Sequence, residues 1–256
     1  MKKILLLVTV SLLMGHQATA GLFAGLQLGV ARNELISTLG NRPALYYAPE
    51  SGIAIAVPVL YEWRLTDRWG VVAGVEPGYV QKRYAVLRTD GLNQLNQHTH
   101  NNYLQSPVTV GAVLHMRRWQ LSAEGGMFAG RWVSSRISGG QPNMLHAGLA
   151  YPSTATYNEA YTFSTIRDNR TEYGWCYGGG LTYRAKPAWA LAFRIQHYAG
   201  VTDLQKDYMI GQVPRYNSTT VYGVLVLVSL SARDRADDRY FVKRQRPADT
   251  EENTID

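Results

Sequence analysis

From Gly21 onward, apolar and polar residues alternate with a period of two, and clusters of Gly, Pro, Asn and charged residues break the alternation at intervals. This pattern predicts β-strands, each with one face turned to an apolar medium. In Gly21–Ala31, Leu22, Ala24, Leu26, Leu28 and Val30 oppose Gly21, Gly25, Gln27 and Gly29. Ile53–Leu65 is clearer, with Ile53, Ile55, Val57, Val59, Tyr61, Trp63 and Leu65 set against Ala54, Ala56, Pro58, Glu62 and Arg64. The same alternation runs through Gly70–Tyr84, Tyr103–Met116, Trp119–Arg131, Glu172–Arg184, Trp189–Gly200 and Thr219–Ser231, which makes eight strands. Pro58 and Pro107 each remove a ladder donor, so a bulge or a locally unpaired position is expected at both.

The connections point the same way. After strands two, four and six they are tiny: Thr66-Asp67-Arg68, Arg117-Arg118 and Ala185-Lys186-Pro187. After the odd strands they are long: Arg32–Gly52, Ala85–Asn102, Trp132–Thr171 and Val201–Ser218. Short turns on one rim and long loops on the other characterise barrels that cross a bacterial outer membrane, with the short turns in the periplasm. No apolar run after residue 20 is long enough for a membrane-spanning helix. A closed barrel is the other structure that satisfies its backbone in lipid.

Ahead of the strands, Lys2-Lys3, the apolar run Ile4–Met14 and the small-x-small triplet Ala18-Thr19-Ala20 read as a secretory signal peptide cut after Ala20. A buried N-terminal helix is the alternative. Behind the strands, Ala232–Asp256 is hydrophilic around a small island, Tyr240–Val242. It reads as a disordered periplasmic tail, with a short docking segment at the island as the alternative. The organisation expected is 1–20 leader, 21–231 barrel and 232–256 tail.

Composition adds three constraints. Seventeen Tyr and six Trp against five Phe suit a protein with aromatic belts at lipid–water boundaries. The formal charge of +7 is scattered over loops and tail rather than gathered in a stripe, which argues against a nucleic-acid partner. With Cys176 as its one cysteine, the chain forms no internal disulfide.

Several segments resemble the outer-membrane β-barrel family of Bacteroidota that includes the PorT-type proteins. They are Tyr103-Leu104-Gln105-Ser106-Pro107 at the opening of the fourth strand, Leu65–Gly70 leading into Val75-Glu76-Pro77-Gly78-Tyr79, Tyr173-Gly174-Trp175 through Gly178-Gly179-Gly180, and Tyr198–Leu204. The resemblance implies an eight-stranded barrel, a Gram-negative source and no known enzymatic residues. A part in protein export or gliding belongs to some members. The hydrophilic tail and the long third connection depart from the family pattern.

The inward faces would carry Glu62, Arg64, Glu76, Lys82, Gln105, Glu124, Arg184, Arg194 and Gln196. An eight-stranded barrel is filled by side chains. Charges of both signs therefore predict a paired internal network, with Glu76 and Glu124 as an acid/base pair the alternative. His98 and His100 are two ligands without an acidic or Cys neighbour in sequence, and read as loop residues rather than a metal site. His146 and His197 also lack ligand spacing. Gly178-Gly179-Gly180 is no phosphate loop, since no Lys-Ser/Thr follows. Ser106 and His197 are formal candidates for a lipid-modifying enzyme, yet no nucleophile-elbow motif surrounds them.

The sequence therefore predicts an all-β, eight-stranded antiparallel transmembrane β-barrel of OmpA/OmpX-like architecture, with short periplasmic turns and long extracellular loops. It is read as a non-enzymatic protein without metal or cofactor, whose outward loops bind, adhere or join an envelope assembly. Outer-membrane lipid and an envelope protein are the expected partners. A lipid-modifying enzyme and a soluble periplasmic ligand carrier are the alternatives.

Overall fold

The computed structural model describes residues 19–37, 45–90, 93–142, 154–186, 188–206 and 214–230. Its strands are β1 (Thr19–Ser37), β2 (Leu45–Ala56), β3 (Val59–Arg64), β4 (Trp69–Val75), β5 (Gly78–Asp90), β6 (Asn93–Met116), β7 (Trp119–Pro142), β8 (Thr154–Ala160), β9 (Thr171–Lys186), β10 (Trp189–Gly200) and β11 (Arg215–Ser229). All pairings are antiparallel. β1 pairs with β11 on one side and with β2 and β3 on the other, while β6 pairs with β7, so the sheet closes on itself.

Ten of the eleven segments, all but β8, make eight staves, because β2 with β3 and β4 with β5 are each one strand interrupted at a proline. The β1 register runs unchanged across the first interruption, from Ala24↔Val59 to Gln27↔Ala56. Pro58, Pro77 and Pro107 lie on three adjacent staves. Each carbonyl still accepts a ladder bond, from Gly25 at 3.0 Å, Val57 at 2.9 Å and Glu76 at 3.1 Å respectively. Each proline lacks the N–H that would return the bond. The barrel thus tolerates Pro58 and Pro107 as locally unpaired positions rather than as bulges. β8 is an added strand in the third long connection and pairs with the outer end of β7, Arg136↔Ala160 to Pro142↔Thr154.

The faces divide as a membrane barrel requires. Val108, Val110 and Ile53 are about 60 % exposed on the outer wall, and Tyr61 and Leu191 lie on the same surface. Arg194 and Glu76 point inward and are buried. At the short-turn end Tyr61 meets Trp63 at 4.3 Å and Trp119 meets Tyr183 at 4.9 Å, rings suited to a lipid–water boundary.

The long connections are corrected. Seven of the eight staves continue past their expected outer ends, while β10 stops at Gly200 as expected: β5 and β6 stay paired to Asp90↔Asn93, β1 reaches Ser37 and β7 reaches Pro142. The segment 97–102 is therefore strand, not loop. Beyond the lipid both faces of a strand can be polar, so the apolar alternation ends while the hydrogen-bonded ladder goes on. Thr19 and Ala20 belong to β1, opposite Arg64 and Trp63. Cleavage after Ala20 would trim those two rungs. The rest of the leader, including Ala18, His146, and the tail with Tyr240–Val242 lie outside the described residues.

Candidate functional site

Inward side chains fill the barrel in successive layers. Nearest the short turns, Glu62 on β3 accepts a hydrogen bond from Arg184 Nη2 on β9 at 2.6 Å and lies 3.5 Å from His115 Nε2 on β6. Gln120 holds the other ring nitrogen at 2.9 Å, and the Arg184 guanidinium lies 4.8 Å from the Phe23 ring centre.

Halfway up, Arg194 on β10 bridges two carboxylates. It reaches Glu76 on the β4–β5 stave at 2.6 Å and Glu124 on β7 through both Nε and Nη2. Thr109 donates to Glu124 at 3.2 Å, and Gln196 donates to Glu76 at 3.2 Å. Tyr198 donates to Gln196 at 3.1 Å. Arg194 crosses the lumen because its two neighbours in the wall are glycines, Gly180 on β9 and Gly223 on β11. A Cβ on Gly223 would stand 2.6 Å from Gln27 Nε2. Gly178 and Gly180 leave room for Gln196 and Arg194, whose Cγ atoms would stand 3.1 and 3.4 Å from an added Cβ.

Higher still, Lys82 on β5 is fully buried and donates to both Glu172 oxygens on β9, at 2.8 and 2.7 Å. Its ammonium lies 4.6 Å from the Tyr103 ring centre and 5.4 Å from that of Phe128. Around it Thr219 donates to Asn33 at 2.7 Å and Ser135 to Asn101 at 2.7 Å.

Eight of the nine residues assigned to the interior from sequence face it. Arg64 does not: it is the last residue of β3, exposed at the rim, and donates to the Asp67 carbonyl at 2.8 Å. Parity gave the side of the strand correctly, but the lumen ends one rung earlier. Gln105 is buried, with no partner for its Oε1 among the described residues. Glu172 and His115 belong to the network although the sequence reading did not select them; both share the inward parity of residues it did select. Glu76 and Glu124 share one guanidinium, which leaves neither as a free acid or base.

An aromatic cap closes the outer end. Trp132 stacks between Tyr103, at 6.1 Å and 9°, and Tyr161, at 5.8 Å and 11°, while Phe163 meets it edge-on at 4.9 Å. Leu35 and Leu204 complete the cluster. The covering segment is pinned by Asp168, which accepts from the Tyr161 hydroxyl at 2.9 Å and the Ser164 amide at 2.7 Å; Arg167 also bonds Tyr161. Burial, then the Asp168 carboxylate, push the Tyr161 phenol from 10.0 up to about 12. Lys206 donates to the Thr165 carbonyl at 2.8 Å and ties this segment to the next connection. Between the cap and the turns lies a cavity of about 50 Å3, lined by Phe23, Leu60, Val72 and Leu225 and by the polar Glu124 and Arg184.

On the outer wall, Ser106 and His197 sit on β6 and β10, with β7 and β9 between them. They lie three strand spacings apart, a lateral separation of roughly 14 Å. His197, opposite Tyr177, is further displaced along the wall from Ser106, whose row passes through Ala129 and Tyr173. His197 lies 2.9 Å from Thr220 Oγ1. His98 and His100 take different partners, Glu50 at 2.6 Å and Arg83 at 3.0 Å. Among the described residues no group of three His, Cys, Asp or Glu is placed to hold a metal ion.

Comparison with known proteins agrees with this architecture. The family described as outer membrane protein beta-barrel domain matches residues 16–206. No curated protein matches significantly. Among solved structures, OprG of Pseudomonas aeruginosa is similar at 12 % identity over 86 % of this chain and 99 % of its own, with a TM-score of 0.42. Ail, the attachment invasion locus protein of Yersinia pestis, is similar at 13 % identity over 81 % of this chain and 98 % of its own, with a TM-score of 0.36. Neisserial surface protein A is similar at 13 % identity over 82 % and 98 %, with a TM-score of 0.37. The match over most of its length, with an apolar outer wall around a polar, filled interior, makes this chain a member of the outer membrane protein β-barrel family, resident in the bacterial outer membrane.

Proposed function

We propose that the protein is a sealed, non-enzymatic scaffold whose working surface is its outward extension: the β5–β6 hairpin, the β7–β8 arm and the capped mouth. The observation that carries this reading is the filling of the interior from Glu62 to Trp132 while the hairpins continue, paired, beyond the apolar wall. A filled eight-stranded barrel offers no water path. Stiff, polar, aromatic-bearing strands instead suit binding or adhesion. The resemblance of several strand motifs to those of PorT-type proteins supports association with an envelope assembly, a secretion-related one included. The Ser106–His197 separation supports the non-enzymatic reading.

The test has three arms. Protein reconstituted in planar bilayers gives no steady conductance. Envelope lipids analysed by mass spectrometry are the same with and without the protein. Replacing residues 86–97 by a two-residue Asn-Gly turn leaves a folded barrel that loses its cross-links to envelope proteins on intact cells. Steady conductance, an altered lipid profile, or unchanged cross-linking after the trim overturns the reading.

A further inference from the structure

Along β6 the outward residues from Met116 to Leu104 are mainly apolar, after which the same face carries Asn102, His100 and His98. Met116 to Leu104 spans about 40 Å of strand, or about 30 Å of membrane thickness at a tilt of about 40°. Leu104 therefore marks the outer edge of the hydrocarbon, and His100 stands roughly 10 Å above it, at headgroup level.

One rung of the barrel wall at that height is basic. The register aligns Glu50 on β2, Arg83 on β5, His100 on β6 and Arg136 on β7 side by side. Their neighbours Lys82, Asn101 and Ser135 point inward and are buried, so Arg83, His100 and Arg136 face outward. Glu50, the acid of this rung, is engaged by His98 at 2.6 Å. Arg83 Nη1 donates to the Ser51 carbonyl at 3.3 Å, Nη2 lies 3.0 Å from both ring nitrogens of His100, and Nε is buried with no partner among the described residues. Arg136 is exposed, and among the described residues neither arginine forms an ion pair with a carboxylate. Glu159 on β8 is exposed beside the row, opposite Ile137. Asn102, which accepts from Tyr79 at 2.7 Å and donates to Ser134 at 2.9 Å, floors the row just above the lipid edge.

We propose that Arg83, His100 and Arg136 form a seat for the phosphate of an outer-leaflet glycolipid whose acyl chains lie against the wall below, along Leu104 and Val108. Two guanidinium groups with no carboxylate partner among the described residues, on strands two spacings or about 10 Å apart, suit a phosphate dianion. Their place at the top of the apolar belt selects a phosphate carried on acyl chains, as basic pockets at membrane surfaces do. The proposal stands apart from the partner of the hairpins.

The full-length protein in detergent micelles is titrated with bis-phosphorylated lipid A, with its dephosphorylated form and with inorganic phosphate. The phosphorylated lipid binds at least tenfold more tightly than the dephosphorylated one, and millimolar phosphate fails to displace it. Arg83→Gln/Arg136→Gln weakens the phosphorylated lipid about thirty-fold, about 2 kcal/mol at 1.4 kcal/mol per factor of ten, and leaves the dephosphorylated lipid unchanged. Arg83→Lys/Arg136→Lys keeps most of the affinity. The gel-mobility shift of the folded barrel confirms that all variants fold. Equal binding of the two lipids, displacement by inorganic phosphate, or unaltered binding by the glutamine variant overturns the proposal.

Discussion

Removing Arg194 tests whether the charged interior holds the barrel together. Arg194→Met keeps the length and most of the volume of the side chain but leaves Glu76 and Glu124 facing each other, both buried. Breaking a buried ion pair from one side costs about 3–5 kcal/mol. Here one cation serves two carboxylates, so the upper part of that range applies. At about 2 kcal/mol per molar urea, the unfolding midpoint falls by roughly 2 M. The assay is urea unfolding in lipid vesicles, followed by tryptophan fluorescence and by the mobility of folded and unfolded bands. Glu76→Gln/Glu124→Gln/Arg194→Met removes all three charges together and recovers stability to within about 1 kcal/mol of the parent, because neutral amides can hydrogen-bond to one another and to Gln196. An unmoved midpoint in Arg194→Met, or a triple variant as weak as the single one, refutes the view that paired charge governs this layer.

Three shorter predictions concern the cap and a turn. Trp132→Ala removes the middle ring of the stack at a local cost of about 3–5 kcal/mol. Trypsin then cuts the covering segment at Arg167 and Arg170 while the barrel stays intact; resistance equal to the parent would refute a packed cap. Tyr161 has its phenol held above the ordinary value, so its contribution is fully present below pH 10 and is lost as pH rises through about 12. The ultraviolet titration difference between the parent and Tyr161→Phe should show a transition near pH 12, not near 10. Arg117 occupies the left-handed region at φ 56° in the two-residue turn between β6 and β7. Arg117→Gly raises stability by about 1 kcal/mol, read from the same urea midpoint.

Within the lipid, the chain's alternation translates directly into walls and lumen. Ile53 and Val108 must meet hydrocarbon and Arg194 must not, so parity alone assigns a face. Outside the lipid that constraint disappears. Gln97–Asn102 remains strand because its backbone continues to pair, yet its side chains carry no apolar signal to reveal it. Arg64 marks the opposite boundary, where the right parity sits one rung beyond the lumen. Glu172 and His115 were legible by parity from Gly174 and Gln105, on the same faces. The cap was not legible, because Tyr103, Trp132, Tyr161 and Leu204 come from distant positions and meet through the curvature of a closed sheet. The row Arg83–His100–Arg136 was hidden for a related reason: it exists only once the registers of three staves are fixed.

The paired β5–β6 hairpin has a consequence for variation at the cell surface. From Leu104 to Asn93 the strand rises about 28 Å above the bilayer edge, with the ladder intact to Asp90↔Asn93. A paired stalk of this kind lifts the connection it carries well clear of the membrane, where antibodies or phages meet the cell. Residues at the tip can be exchanged without disturbing the ladder beneath them, so new surface epitopes can arise while the membrane anchor stays as it is.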